Sequence, residues 1–152
     1  MKVGERVPSF ELPDQTGAVV RFDDVVKQGG PIVLFFYPKD ETPICTAEAC
    51  SFRDAYADFT AAGATVFGIS SDSVASHQKF ADKHRLPYRL LADVGGKVRA
   101  ALKVPRGLLG LTEGRVTYIV DNEGIVRHAH EASLQAQAHV DEAIAVVKRL
   151  SA

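Results

Sequence analysis

The two cysteines of the chain, Cys45 and Cys50, lie five residues apart and have the type and spacing for redox chemistry. Cys45 comes shortly after Thr42-Pro43, a pair typical of a helix start because threonine caps helices and proline fits their first position. The unpaired N–H groups and the dipole of a helix start favour an anion such as a thiolate. The thiolate is the reactive form of cysteine, so the sequence indicates a nucleophilic Cys45 with a second thiol close by.

The charges that neighbour Cys45 in the sequence work against a thiolate. Acidic residues outnumber basic ones there, with Asp40, Glu41 and Glu48 set against Lys39 and Arg53. A stabilising cation is therefore expected from another part of the fold, and Arg115, which opens a later apolar strand, is the candidate. The alternatives are that Arg115 is an exposed charge at a strand end, as most arginines are, and that Glu48 and Arg53 form a weak surface pair.

Composition and compartment narrow the classes of function. With 152 residues, 46% hydrophobic and 24% charged, the chain has the size and composition of one soluble domain over 1–152. The net charge of −1 predicts neither a nucleic-acid nor a membrane partner. No secretory signal pattern and no apolar run near the roughly 18 residues of a membrane span are visible, so a cytoplasmic location is predicted. Cytoplasmic cysteines rarely form structural disulfides, which favours catalysis, redox sensing or metal binding.

The hydrophobic pattern predicts an α/β fold. The continuous apolar run 31–37 indicates a strand buried on both faces, as at the centre of a sheet. The other predicted elements are, in chain order, a β-hairpin over 9–22 with its turn at 14–17, a helical turn over 23–30, a helix over 42–62, a strand over 64–70, a helix from Asp72 or Ser73 to 84, a short strand over 88–92, a short helix over 94–102, a hairpin of 115–121 and 124–129, and a helix from Ser133 to 150. A βαβ unit followed by a ββα unit is the order of a thioredoxin-like fold, here with an N-terminal β-hairpin extension and a mixed central sheet flanked by helices.

The active-site stretch resembles a known family. Pro38, Thr42 and Cys45 fit the peroxiredoxin signature Pro-x-x-x-Thr/Ser-x-x-Cys, and the whole stretch 36–50 is similar to the peroxiredoxin Q subfamily, also called the bacterioferritin comigratory protein family. The similarity extends over most of the chain and includes 4–14, 67–72 and 114–121. The resemblance implies a thioredoxin fold and a thiol peroxidase that uses neither a metal nor an organic cofactor, because sulfur carries the chemistry.

The resemblance also implies a role for each residue that matches the family pattern. The implied roles are the peroxidatic thiol for Cys45, the resolving thiol for Cys50, a hydroxyl that contacts thiolate and peroxide for Thr42, shielding of the thiolate for Pro38, stabilisation of thiolate and transition state for Arg115, and orientation of that arginine for Glu48. In this cycle the Cys45 thiolate reduces a peroxide and becomes a sulfenic acid. Cys50 then forms an intramolecular disulfide with it, which thioredoxin or a glutaredoxin-like dithiol reduces.

The implied substrates are hydrogen peroxide and organic hydroperoxides. Ile44 stands where many family members have glycine, and it is expected to narrow the access to Cys45. The apolar segment 103–113 is similar to that of the plant and cyanobacterial branch. Because both reacting cysteines are in one chain, a monomer is expected to be sufficient.

The spacing of the two cysteines places a constraint on that disulfide. Residues five apart on an α-helix have Cα atoms roughly 8–9 Å apart, whereas a disulfide tolerates at most about 7 Å. Cys45 and Cys50 therefore cannot bond while both lie on an intact helix. The spacing predicts a local unfolding over 42–53 that accompanies oxidation.

Other classes of function share these residues. One is a thiol-based redox sensor or a disulfide oxidoreductase, which would use both cysteines but react slowly with peroxide. Another is a metal-binding domain in which Cys45 and Cys50 bind zinc together with His128 and His130. Apart from that alternative, the five histidines are expected to be solvated.

Overall fold

The fold is that of a computed structural model, which describes residues 1–105, 114–131 and 136–151. Its elements in chain order are β1 (Glu11–Pro13), β2 (Val19–Arg21), α1 (Phe22–Lys27), β3 (Ile32–Phe36), α2 (Pro43–Asp54), α3 (Tyr56–Ala61), β4 (Thr65–Ser70), α4 (Val74–His84), β5 (Arg89–Ala92), α5 (Lys97–Ala101), β6 (Val116–Val120), β7 (Val126–Glu131) and α6 (Ala136–Ser151). Ser133, the predicted start of the last helix, lies outside the described residues, as does most of the apolar segment 103–113. No helix in the described ranges has the length and apolar character needed to cross a bilayer.

A five-stranded mixed sheet forms the centre of the fold, with the order β5-β4-β3-β6-β7. The strand β3 pairs in parallel with β4, and β4 in parallel with β5, whereas β6 is antiparallel to both β3 and β7. The strands β1 and β2 form a separate antiparallel hairpin. The predicted α/β order, with a mixed central sheet and an N-terminal hairpin, is confirmed.

The strand β3 separates two hydrophobic cores. Its side chains alternate between the two faces of the sheet, as strand geometry requires. On one face, a core forms with α2, α4 and α6, and it contains Val33, Phe35 and the following Tyr37. On the other face, a core forms with α1, α5 and the hairpin, and it contains Ile32, Leu34 and Phe36. Every residue of β3 is buried, which explains its continuous apolar sequence.

A glycine in β4 allows the helix that carries both cysteines to pack closely on the sheet. A Cβ atom at Gly68 would lie 2.6 Å from the Cζ atom of Phe35, so the absence of a side chain leaves room for that ring. The ring of Phe35 stacks on Phe52 of α2, with centroids 4.4 Å apart and planes 11° from parallel. Since offset aromatic stacking is directional, this pair helps fix the position of α2 on β3.

The predicted continuous helix over 42–62 is wrong. The structure has two helices there, α2 and α3, because Ala55 leaves helical geometry with φ −95° and ψ 4°. No glycine or proline marks the break, and the apolar spacing from Phe52 to Phe59 continues across it. For α4, the Ser73 alternative is correct, because its hydroxyl accepts a hydrogen bond from the N–H of Ser76 at the helix start.

Candidate active site

Cys45 is buried in the first turn of α2, the helix that follows β3 after the loop 37–42. Thr42 has the extended backbone of an N-cap residue, and Pro43 is the first helical residue. The helix start therefore lies where the sequence predicts it. This position exposes Cys45 to the positive end of the helix dipole.

Arg115 brings a cation to the thiol of Cys45. Its Nη2 atom lies 3.2 Å from the Sγ atom of Cys45, and its Nη1 atom donates to Oε1 of Glu48 at 3.1 Å. The antiparallel register of β3 and β6 explains the contact, because Phe36 pairs with Val116 and the residue before Val116 falls beside the loop into α2. The Arg115 side chain is only 10% exposed, so the reading of Arg115 as an exposed strand-end charge is wrong.

Glu48 lies one helical turn after Cys45 and is fully buried. The alternative, a surface pair of Glu48 with Arg53, is wrong, because Arg53 bonds Asp54 and the carbonyl of His84 instead. Burial raises the pKa of Glu48 to about 7, against the opposing effect of the Arg115 guanidinium. Glu48 and a Cys45 thiolate therefore share one cation, and a proton on Glu48 leaves more of the Arg115 charge to the thiolate.

We expect the substitution Glu48→Gln to flatten the pH dependence of stability below neutral pH. The folded protein holds the Glu48 proton up to about pH 7, whereas the unfolded chain releases it near 4.5. In that window the unfolded state binds fewer protons, so the free energy of unfolding of the parent protein falls as pH rises. The difference between the two pKa values corresponds to a fall in the free energy of unfolding on the order of 3 kcal/mol across that window.

Urea denaturation of reduced protein at about pH 5 and about pH 7 measures this change. Other groups titrate in the same window, so the effect of Glu48 is the difference between the parent and Glu48→Gln in how much the free energy of unfolding changes between the two pH values. Glu41→Gln, which alters an exposed carboxyl paired with Lys83, is the matched control and is expected to follow the parent. Equal pH slopes for the parent and Glu48→Gln would contradict the shifted pKa.

The hydroxyl of Thr42 does not cap α2. It donates a hydrogen bond to the carbonyl of Lys39 at 2.9 Å, and no side-chain cap bond forms at the helix start. Only the backbone half of the predicted N-cap is therefore present. A hydroxyl that donates one hydrogen bond still has lone pairs, so the predicted contact of Thr42 with thiolate and peroxide stays a prediction.

The remaining predicted residues, Pro38 and Cys50, lie on either side of the helix start. Pro38 is half-buried in the loop between β3 and α2, and its shielding of the thiolate stays a prediction. Cys50 lies on α2 with Cys45, as predicted, and both thiols are free. Cys50 is partly exposed whereas Cys45 is buried, so the intact helix holds the two thiols in different surroundings.

A buried hydrogen-bond network that the sequence analysis missed holds the loop leading into α2. The carboxylate of Asp40 accepts a hydrogen bond from the hydroxyl of Tyr37 at 2.6 Å and from that of Ser76 at 2.8 Å. Nδ1 of His77 lies 2.7 Å from the same carboxylate. Burial, and then Asp40, raise the pKa of Tyr37 well above its usual value, so the phenol stays a donor. These contacts tie the loop to α4.

His77 is fully buried, which makes the prediction of a solvated histidine wrong at this position. Its Nε2 atom lies 3.0 Å from the carbonyl oxygen of Leu91, which can only accept, so Nε2 carries a hydrogen. Its other nitrogen, Nδ1, faces the carboxylate of Asp40. A helical spacing of His77 with Phe80 and Ala81, all buried, was the signal that could have found it.

The alternative zinc site is not formed. Among the described residues, His128 and His130 gather around Glu142 on α6, and neither cysteine belongs to a cluster of potential metal ligands. Cys45 instead contacts Arg115. The described part of the chain thus brings Cys45, Arg115 and Glu48 together at the start of α2.

Comparisons with known proteins agree with this geometry. The sequence profile of the AhpC/TSA family matches residues 3–129. A chloroplastic peroxiredoxin Q from Triticum aestivum is 45% identical over 147 residues, which are 97% of this chain and 67% of the wheat protein. The crystal structure of peroxidoxin BcpB from Mycobacterium tuberculosis superposes with a TM-score of 0.90 at 43% identity and covers 99% of this chain and 98% of its own. The bacterioferritin comigratory protein of Xanthomonas campestris, which has alkyl peroxide reduction activity, gives 0.85 at 28% identity and covers 94% and 92%.

Proposed function

The chain belongs to the AhpC/TSA family, in its peroxiredoxin Q branch, and from this premise we propose that it is a thiol peroxidase with Cys45 as its nucleophile. The observation that carries the proposal is the 3.2 Å contact between the Arg115 guanidinium and the Cys45 sulfur at a helix start. A buried thiol beside a cation and helix N–H groups is suited to react as the thiolate.

In the first step the Cys45 thiolate attacks the terminal oxygen of a peroxide. An S–O bond forms and the O–O bond breaks, so the sulfur is oxidised to a sulfenic acid and the peroxide is reduced. The leaving oxygen takes a proton and departs as water or an alcohol. Arg115 stabilises the negative charge on the leaving oxygen, and Thr42 and the N–H of Cys45 hold the peroxide.

In the second step Cys50 attacks the sulfur of the sulfenic acid. An S–S bond forms and water leaves, which gives an intramolecular disulfide between Cys45 and Cys50. Both thiols lie on α2 and Cys50 is partly exposed, so the first turns of the helix open before the S–S bond forms. Thioredoxin or a glutaredoxin-like dithiol then returns both cysteines to thiols by exchange.

The proposed substrates are hydrogen peroxide and organic hydroperoxides. The alkyl peroxide reduction activity of the Xanthomonas campestris relative supports the second class. Ile44, directly before Cys45, is half-buried, and its narrowing of the access to Cys45 stays a prediction.

The working unit proposed for this cycle is a monomer. Both reacting thiols belong to one chain, so resolution needs no second copy. The large hydrophobic side chains exposed in the described ranges are three valines, Val3, Val19 and Val94, on three separate segments. The cytoplasmic location stays a prediction from the sequence, and the wheat relative is chloroplastic.

The test is a comparison of Cys45→Ser and Cys50→Ser with the parent, in stopped-flow oxidation and in turnover coupled to thioredoxin. Cys45→Ser is expected to lose both reactions. Cys50→Ser is expected to undergo one stoichiometric oxidation at Cys45 and then to stall, and mass spectrometry should find the sulfenic acid without an intramolecular disulfide.

Either cysteine assignment can fail separately. Turnover of Cys50→Ser at the parent rate would show that Cys50 is not the resolving thiol. Stoichiometric oxidation of Cys45→Ser would show that Cys45 is not the nucleophile. A slow single oxidation of the parent without thioredoxin turnover would favour the redox sensor over the peroxidase.

A further inference from the structure

Two histidines and a glutamate meet on the sheet face that α6 covers. His128 and His130 are two residues apart on β7, so their side chains lie on the same face of the sheet. Oxygen Oε2 of Glu142, on α6, lies 3.0 Å from Nε2 of His128 and 2.6 Å from Nδ1 of His130. One carboxylate oxygen thus faces two imidazole nitrogens.

The types of these ligands select a class of ion. Imidazole nitrogens suit Zn²⁺, Cu²⁺ and Ni²⁺, whereas Ca²⁺ and Mg²⁺ prefer oxygen ligands. Two histidines and one glutamate form one of the known three-ligand sets for zinc, with the fourth tetrahedral position left to water. With bonds of about 2.0–2.1 Å, tetrahedral zinc needs ligand atoms roughly 3.3 Å apart. The two distances from Oε2 of Glu142, 3.0 and 2.6 Å, reach that value after movements of about 0.3 and 0.7 Å.

The surroundings admit a cation. The side chains of His128, His130 and Glu142 are 28%, 19% and 45% exposed, so an ion can enter from solvent. The nearest arginine along the strand, Arg127, is paired with Asp121 at 2.6 Å, and the carboxylate of Asp121 offsets its charge.

We propose that His128, His130 and Glu142 bind one divalent transition-metal ion, with Zn²⁺ as the probe. The ion replaces the hydrogen atoms that the carboxylate and the imidazoles share, and it links β7 to α6. The helix α6 also packs with α2 in one core, through residues such as Val140 and Ala143. The bound ion therefore stabilises the folded chain, and it does so without contacting Cys45 or Arg115.

Isothermal titration of Zn²⁺ into the untagged, full-length chain tests this proposal. Both cysteines are replaced by serine for the titration, because free thiols bind zinc themselves. One ion per chain is expected. His130→Gln and Glu142→Gln are each expected to weaken binding more than about 100-fold, since loss of even an outer-shell partner costs about 10–100-fold.

The control is Asp141→Asn, which removes an exposed carboxylate next to Glu142 on the same helix and should leave zinc binding unchanged. Thermal denaturation in the same cysteine-free background gives a second measurement: Zn²⁺ should raise the Tm of that background and of its Asp141→Asn variant, but not that of its Glu142→Gln variant. The Tm values without zinc show that each variant is folded. Unchanged zinc affinity in His130→Gln and Glu142→Gln, or no stoichiometric binding by the parent, would overturn the proposal.

Discussion

Replacing Arg115 by glutamine should lower the second-order rate constant for oxidation by hydrogen peroxide by about 100- to 1,000-fold, the cost of removing one positioned donor from an anionic transition state. In the structure the Arg115 guanidinium contacts the Sγ atom of Cys45 at 3.2 Å. Glutamine keeps part of the length of the side chain and removes the charge. Stopped-flow oxidation of reduced protein, before any thioredoxin step, measures the rate constant.

Two variants separate the causes of that loss. Arg115→Lys keeps the charge, but an ammonium cannot present the planar fork that reaches Cys45 and Glu48 together, so an intermediate rate is expected. Arg53→Gln removes an arginine of α2, the helix that carries Cys45. Because Arg53 bonds Asp54 and the His84 carbonyl, this variant should react at the parent rate.

Glu48 needs its own control, because Arg115→Gln leaves its buried carboxyl without the cation. The double variant Arg115→Gln/Glu48→Gln removes both members of the pair. It should fold, since replacing both partners of a buried pair costs less than leaving one, and it should remain slow. A double variant at the parent rate would show that Arg115 acts only by neutralising Glu48, and an unchanged rate in Arg115→Gln would contradict its proposed role.

Oxidation with one equivalent of peroxide should speed amide hydrogen exchange across 42–53, from the slow exchange of a folded helix to the fast exchange of an open segment. The helix α2 keeps Cα atoms five residues apart at roughly 8–9 Å, and the disulfide brings them within about 7 Å. The disulfide and the intact helix therefore exclude each other. The stacking of Phe52 on Phe35 and the bond from the Tyr88 hydroxyl to the Ala49 carbonyl, 2.6 Å long, hold the helix closed before oxidation.

Exchange measured by mass spectrometry on reduced and disulfide-bonded protein tests this prediction, with α4 as the internal reference. Cys50→Ser treated with peroxide separates the two chemical events, because its Cys45 is oxidised but forms no intramolecular disulfide. Its α2 amides should stay protected. Equally slow amide exchange of α2 in the reduced and the disulfide-bonded parent protein would contradict the prediction.

The position of Cys45 could be predicted because its signals are local. Thr42-Pro43 mark a helix start within a few residues of the cysteine, and the apolar run ending at Tyr37 marks the strand before it. Local signals also misled at two points. The apolar spacing through Ala55 predicted one helix where there are two. Thr42 was predicted to cap α2, but its hydroxyl donates a hydrogen bond to the carbonyl of Lys39 instead.

The sequence by itself determined the spacing of the two cysteines, the start of the helix that carries both and the order of the elements along the chain. Only the tertiary structure decided which charges surround the sulfur. Arg115 reaches Cys45 because β6 pairs antiparallel with β3 in one register, and His77 reaches Asp40 because α4 packs beside the loop into α2. Helix starts and buried strands are specified by neighbours in the chain, whereas these contacts join residues 70 and 37 positions apart and form only when the sheet register and the packing of the helices are set.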